Sequence, residues 1–402
     1  IMKTSLVVTL LNEEETINLL LESIKNQKKL PDEIIIVDGG STDATIRLVR
    51  QFIEDNKILG KQFKLLHKPG NRSIGRNYGV EHAKGDVILF TDAGCILDTD
   101  WVAEIIEPFN KEETDVVAGY YEGQSENNFQ KALIPYVLVM PDRVDPETFL
   151  PATRSMAIKK TVFDELGGFN ETFSHNEDYA FAKLLEKNQK EIVLVKQAFV
   201  YWIPRSTIKQ TFTMFSRFAF GDMEAGIIRP KVVALFERYS LGILLIIVAV
   251  FTHSTILWAL IGIGVIAYIG WSIQKNYRYV KNSSAFLYLP MLQFVSDIAV
   301  MKGSISGAIQ SIQDKFYSKR QGYTKDAVRG VSWIGSFRIV SRVISFLRTI
   351  LVARLLNPTQ FGLFGIVAFV LSFTEIITET GINILLIQEK DDIKKYFNTA
   401  FV

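Results

Sequence analysis

The sequence predicts an α/β domain built on a doubly wound, mostly parallel sheet and followed by transmembrane and interfacial helices. Three observations predict it. Short β-rich runs and helix-like segments alternate three times before residue 92, the pattern of a parallel sheet with helices on both faces. A fourth run, Val87 to Phe90, is four apolar residues, too few for a helix, and it stops abruptly at Thr91-Asp92-Ala93-Gly94. After Tyr239 the chain changes character and long, nearly uncharged apolar runs begin.

Taken in order, Ser5 to Leu11 reads as a first strand, and Asn12-Glu13-Glu14-Glu15 opens a helix to about Gln27, its acids placed where the helix dipole favours them. Ile34 to Val37 is a second buried strand ending in Asp38-Gly39-Gly40-Ser41-Thr42-Asp43. Its glycines allow close backbone approach to a ligand, and its hydroxyl and acid side chains suit capping of a helix over 44–54. A third strand, Phe63 to His67, leads through Pro69-Gly70-Asn71 to a helix start carrying Arg72 and Arg76. Arginine beside a glycine-rich helix start suits a diphosphate. The fourth strand delivers Asp92 beyond its carboxyl end, where open α/β sheets bind ligands.

Composition narrows the function classes. The 402 residues allow two or three domains, and 48% apolar content is high for a purely soluble chain. A net charge of +2 gives no dominating basic field, which argues against a nucleic-acid partner. Cys95 is the only cysteine, so no internal disulfide exists, in keeping with a cytoplasmic location. The apolar run at the N-terminus is about seven residues long and is followed by acids, so it reads as a strand and not as a signal peptide. Ile1 before Met2 points to upstream sequence.

Four stretches, VVTLLNEEETI, IIIVDGGSTDAT, GRNYGVEHAKGDVILFTDAG and GGFNETFSHNEDYAFAKLL, occur in this order within about the first 220 residues. Together they resemble the family 2 glycosyltransferases and their GT-A nucleotide-sugar-binding fold. The resemblance implies inverting transfer of a sugar from a nucleotide-diphosphate donor, with Mg²⁺ or Mn²⁺ as cofactor. It places Thr9, Asn12 and Glu13 around the base, Asp38 with Gly39 at the base or ribose, and Arg76 beside the diphosphate. Asp92 matches the first acid of the family's Asp-x-Asp metal motif. Where that motif ends in a second acid this chain has Gly94, and a hard cation can still be carried by one carboxylate with phosphate oxygens and water. Asp98 and Asp100 read as turn and capping residues, and Cys95 as packing.

Asp115 to Ala118 reads as a further strand, and the segment from there to Pro151 lacks clear periodicity, as a flexible acceptor cover would. The resemblance assigns the acceptor side of the cleft to the stretch with Arg154, Gly168, Phe169 and Glu177. His175-Asn176-Glu177-Asp178 precedes a helix over 179–188, a position that favours an ionised carboxylate. Inverting transfer needs a base for the acceptor hydroxyl, and the family places the second acid of Glu-Asp there, which assigns Asp178 as the catalytic base. Val193 to Trp202 reads as a strand. Gln210 to Asp222 is amphipathic, and its Arg217 suits either the departing nucleoside diphosphate or lipid phosphates.

The organisation expected is a transferase domain at 1–225, a membrane-attachment region at 226–325 and a third piece at 326–402. In the middle region a helical hairpin at about 239–273 spans the bilayer, and 285–312, with Asp297, Gly303 and Gly307, lies at the interface. Lys231 and Arg238 before the hairpin and Lys275, Arg278 and Lys281 after it put both ends, and the catalytic domain, on the cytoplasmic side of the cell membrane. From Val328 onward, arginines spaced through an apolar helix, Asn357-Pro358, and a second helix with Glu375 and Glu379 resemble the first helices of MATE-like polysaccharide flippases. About 75 residues cannot enclose a translocation path. Either the chain is a fragment of a transferase–flippase fusion or two neighbouring frames are joined.

The function expected is transfer to a lipid-linked or other glycan acceptor in polysaccharide or glycoconjugate biosynthesis, with a flippase as possible partner. The rival is a flippase-associated module that binds a nucleotide sugar or glycan without catalysis. A nucleotidyltransferase would want a basic loop where Asn12-Glu13-Glu14 stands, and a dinucleotide reductase would want Gly-x-Gly-x-x-Gly after the first strand.

Overall fold

A computed structural model describes residues 2–318 and, as helix, 360, 362–367, 370 and 371. Apart from those few positions, the flippase-like piece expected at 326–402 lies outside the described residues. One compact unit runs Ile1–Lys315 and a second Phe316–Val402.

The first half alternates β1 (Thr4–Leu10), α1 (Ile17–Lys25), β2 (Glu33–Asp38), α2 (Thr45–Asp55), β3 (Phe63–His67), α3 (Arg72–Glu81) and β4 (Val87–Phe90). Then come β5 (Cys95–Leu97), α4 (Trp101–Ile106), β6 (Val116–Gly123), α5 (Asn128–Val137), β7 (Met156–Lys159), α6 (Lys160–Glu165), α7 (Glu177–Lys187) and β8 (Ile192–Trp202). Four helices follow: α8 (Ile208–Glu224), α9 (Pro230–Thr252), α10 (Thr255–Val280) and α11 (Ala285–Ser318).

The strands form one sheet in the order β3-β2-β1-β4-β7-β6-β8-β5. The first four are parallel neighbours, as is β6 with β8; β7 runs antiparallel to β4 and β6, and β5 to β8. Period-two alternation gives each central strand two cores. Val87 and Leu89 join Leu6, Val8, Ile34 and Ile36 on the face covered by α1, α2 and α4. Ile88 and Phe90 join Val7, Ile35 and Val37 on the face covered by α3, α6 and α7. A strand buried on both sides is held firmly, so Thr91 and Asp92 leave it at a fixed place.

Two local features differ from the sequence reading. The segment after β6 is not irregular: α5 starts at Asn127, whose side chain accepts from the Gln130 N–H, and contributes Ala132 and Leu133 to a third core with Phe215 of α8 and with α10 and α11. A proline at 135 and few charges masked its helical period. Asp92 is also followed by a strand, β5, whose Cys95 is buried opposite Trp202.

Three helices are long and apolar enough to cross a membrane: Pro230–Thr252, Thr255–Val280 and Ala285–Gln313. Helix α11 also meets the catalytic half. A Cβ at Gly303 would run into the Ser216 carbonyl of α8, and one at Gly307 would lie 2.6 Å from that of Phe220, so the Gly-x-x-x-Gly pair lets the two backbones touch. Asp297 is buried at the other side of this packing, accepting from Arg238, Tyr239 and Tyr268.

Candidate functional site

The site is at the carboxyl edge of the sheet, where β1 stands between β2 and β4 and the chain order reverses. Its first corner is built by the turns after β1 and β2. Asn12 takes a left-handed backbone (φ 55°), donates its N–H to Ser41 Oγ at 3.0 Å and accepts from the Thr42 N–H at 2.8 Å. Glu13 is anchored by its N–H on Thr45 Oγ1, and its carboxylate accepts from Thr16 at 3.0 Å. Burial raises the Glu13 pKa, against the Thr16 hydrogen bond and the charges of Arg205 and Arg72. Thr9 lies on β1 against Gly75, where a Cβ would approach its Cγ2 to 2.8 Å.

Asp38 is 4% exposed. Its Oδ1 accepts from the Ser41 N–H and its Oδ2 meets His67 Nδ1, each at 2.9 Å. Burial opposes its charge, but the bonds from Ser41 and His67 outweigh burial and hold the carboxyl below its usual range. At Gly39 a Cβ would come within 3.2 Å of the Leu10 carbonyl, so glycine keeps this turn tight against β1.

The second corner is centred on Asp92. Arg76, 2% exposed, reaches from α3 and donates Nη2 to Asp92 Oδ1 at 2.9 Å and Nη1 to Glu177 Oε1. Thr153 adds a bond to the same Asp92 oxygen at 3.3 Å. Burial works against the charge on Asp92, and the guanidiniums of Arg76, Arg72 and Arg154 override it, so the carboxyl stays ionised well into acid. Arg154 stacks over Tyr121 and Trp202, 5.5 and 5.6 Å from the ring centroids, and the Thr91 hydroxyl fixes its backbone carbonyl.

The third corner is the start of α7. Asn77 of α3 brackets the preceding loop, donating to the Phe169 carbonyl at 2.8 Å and accepting its N–H at 2.9 Å. Gly168 takes φ +70° with no room for a side chain beside Asn77. Asp178 is half-buried, and its Oδ1 accepts the Tyr179 N–H at 2.8 Å. Its pKa is raised, by burial first and then by the charge of Glu177. That reverses the expectation of a helix-start carboxylate favoured in its ionised form: desolvation and a like-charged neighbour exceed the effect of the helix terminus. Glu177 goes the other way, because Arg76 and Arg72 overcome its burial and lower its pKa.

Asp92 and Glu177 therefore meet on Arg76, and the charges of Arg76 and Arg154 both act on Asp92 and Asp178, with Asp38 and Asn12 at the neighbouring strand ends. Three of the expected residues are enclosed. Phe169, 1% exposed, is a core residue between Phe90, Phe163 and Phe181, and its ring lies under Arg76, so it offers an acceptor no surface. Glu177, 4% exposed, is tied to Arg76 and likewise faces no acceptor. Arg76 itself is enclosed, its guanidinium bonded to Asp92 and Glu177. Arg217 is exposed on α8 and lies with His175 at a small pocket of about 230 Å³ lined also by Ser174, Ser216 and Phe220.

Sequence reasoning passed over Thr153, Tyr121, Trp202 and Arg205, and it noted Arg72 only with Arg76 at the start of α3. Arg72 carried a signal, as the first residue of a helix that begins beside a glycine-rich loop. Tyr121 and Trp202 are brought together by the pairing of β6 with β8, whereas Thr153 precedes β7 and Arg205 follows β8. For a divalent cation, the described residues contain no group of three or more His, Cys, Asp and Glu side chains. Both bonds to Asp92 fall on Oδ1, which leaves Oδ2 as a single carboxylate oxygen, and a Cβ at Gly94 would meet nothing within 4 Å. This donor set fits a hard ion carried mainly by substrate phosphates and water.

Comparison with known proteins gives concordant matches. Residues 5–167 match the family model described as Glycosyl transferase family 2, and residues 351–402 match one described as Polysaccharide biosynthesis protein. EpsH of Bacillus subtilis is 33% identical over 125 residues, 31% of this chain and 35% of that protein. The glycosyltransferase GlyA of Streptococcus pneumoniae is 24% identical over 227 residues, 52% of this chain and 32% of that one. The chain thus spans about a third of the length of these curated relatives. Among solved structures, the mannosyltransferase PcManGT from Pyrobaculum calidifontis, in complex with GDP-Man and Mn²⁺, has a TM-score of 0.53 at 16% identity, covering 78% of this chain and 88% of that one. At that identity the likeness establishes the fold.

Proposed function

Residues 5–167 are a family 2 glycosyltransferase domain of GT-A type, and from that premise we propose that the chain transfers a sugar, with inversion, from a nucleoside-diphosphate donor to a lipid-linked or other glycan acceptor in polysaccharide biosynthesis. The observation that carries this reading is one buried arginine at the carboxyl edge of the sheet that holds Asp92 with one nitrogen and, with another, Glu177, the residue next to Asp178.

The residues divide the work by position. Asp38, kept ionised by Ser41 and His67, accepts hydrogen bonds from the nucleoside, and the tight turn at Gly39 lets it approach; Thr9, Asn12 and Glu13 shape the base side. Asp92 would hold Mg²⁺ or Mn²⁺, which would supply neutralisation of the diphosphate charge. Arg154, stacked on Tyr121 and Trp202, adds positive potential on the acceptor side. Asp178 takes the proton of the acceptor hydroxyl as its oxygen forms a bond to the anomeric carbon. The bond from that carbon to the phosphate oxygen breaks, and the nucleoside diphosphate leaves with the electron pair. A raised carboxyl pKa suits this role, because the stronger base, once ionised, accepts the proton more readily.

The basic residues flanking α9 and α10 favour a catalytic domain on the cytoplasmic side, where nucleotide sugars are available. The match at 351–402 supports a link to polysaccharide export through a flippase partner. The test is release of nucleoside diphosphate by detergent-solubilised protein from UDP-, GDP- and dTDP-sugars, with Mg²⁺, Mn²⁺ or chelator and a lipid extract as acceptor. Acceptor-dependent release that disappears in Asp178→Asn is expected. Donor binding without release from any donor would favour the binding-module reading.

A further inference from the structure

Outside the catalytic cluster, α8 is gripped on two edges. On one edge, Glu224 accepts both the N–H and the hydroxyl of Ser174, at 3.0 and 2.7 Å. At Gly221 a Cβ would strike the His175 carbonyl, and Asp222, 5% exposed, accepts from the Asn176 side chain. The other edge is the one on which Gly303 and Gly307 of α11 rest. Asp222 also binds Arg229 in bidentate fashion, Nε at 2.6 Å and Nη2 at 2.9 Å. Arg229 is the N-cap residue of α9, and its guanidinium lies 4.1 Å from the centroid of Tyr179.

These contacts enclose the residues on both sides of Asp178. Asn176 holds a left-handed backbone (φ 60°) as the N-cap residue of α7, yet its side chain makes no capping bond. That side chain is committed to Asp222, so the conformation that launches α7 is held from α8. Tyr179, directly after Asp178, is covered by Arg229. A left-handed non-glycine residue is strained and persists where its surroundings over-determine it; here the over-determination comes from Asp222.

We propose that Asp222 and Arg229 are positioning residues for Asp178: the bidentate pair fixes Asn176 and Tyr179, and through them ties the placement of the base to the entry of the first membrane helix. This rests on the assignment of Asp178 as the base. It goes beyond that assignment in making the seating of α9 a determinant of turnover.

The test uses the full chain in detergent, with Asp222→Ala, Arg229→Gln, the conservative Arg229→Lys, and Asp178→Asn as reference. Acceptor-dependent kcat and donor KM are measured together with amide hydrogen exchange over 174–180. In Asp222→Ala and Arg229→Gln, kcat falls about ten- to a hundredfold, the scale of a misplacement near 1 Å. Donor KM stays within about twofold, since the donor corner lies on other strands, exchange over 174–180 quickens, and Arg229→Lys recovers part of kcat. A kcat within twofold of the parent in Asp222→Ala overturns the proposal, as does unchanged exchange over 174–180. A parallel loss of nucleoside-diphosphate binding also overturns it, because the pair would then serve general folding. If Asp178→Asn keeps full activity, the base assignment fails, and the exchange data alone decide whether the clamp orders this loop.

Discussion

Arg76 and Glu177 form an ion pair closed off from solvent, with 3% and 4% of their side chains exposed. The other end of the same guanidinium holds Asp92, so a single side chain on α3 sets the spacing between the strand-end acid and the start of α7.

Removing one partner of such a pair strands the other. Arg76→Ala is expected to lower stability by about 3–5 kcal/mol and to abolish transfer. Arg76→Lys keeps the charge but cannot serve two carboxylates in a fork, and is expected to fold with strongly reduced kcat. Thermal unfolding in detergent and nucleoside-diphosphate release check the two effects.

The same pair sets a pH dependence. Glu177 has a pKa below its usual 4.5 in the folded chain. Its contribution to stability is therefore complete above about that value and is lost as pH falls through the depressed one. Glu177→Gln should flatten the acid side of a plot of unfolding midpoint against pH.

Activity should fail at higher pH than stability does. Burial and Glu177 raise the Asp178 pKa, and the base must be ionised to accept a proton, so the acid limb of kcat/KM against pH should lie above that of an ordinary aspartate. Asp178→Asn should lower kcat by about 10²–10⁴-fold with little change in donor KM.

Asp38 should behave oppositely. Asp38→Ala removes a charged acceptor, a loss of about 1.5–3 kcal/mol, and is expected to raise donor KM roughly ten- to a hundredfold while kcat changes less. Initial rates against donor concentration separate the two variants.

Position 94 gives a cation test. A side chain there meets nothing within 4 Å, so Gly94→Asp should fold normally and supply a second carboxylate near Asp92. The Mn²⁺ concentration for half-maximal rate should fall, by about tenfold, as ligand charge rises.

Much of this site was legible in the chain because it is local. Four apolar residues ending at Thr91-Asp92 placed the acid, and Asp38-Gly39 read as a strand end, since buried strands and their turns are written in consecutive residues. The tertiary part was not legible. Phe169 follows two glycines and looks presentable, yet it is the floor under Arg76. The stack of Arg154 on Tyr121 and Trp202 depends on the pairing of β6 with β8. The direction of the Asp178 pKa turned on burial and a neighbour's charge, neither visible in a helix-start pattern.

The close backbone crossing at Gly303 and Gly307 bears on how a catalytic fragment of this protein could be cut. Ending the chain near residue 225 would strip α11 from Phe215 and leave Ala132 and Leu133 of α5 facing water, turning an internal seam into a sticky surface. A fragment ending at Lys315, where the compact unit ends, keeps this seam and all three long apolar helices.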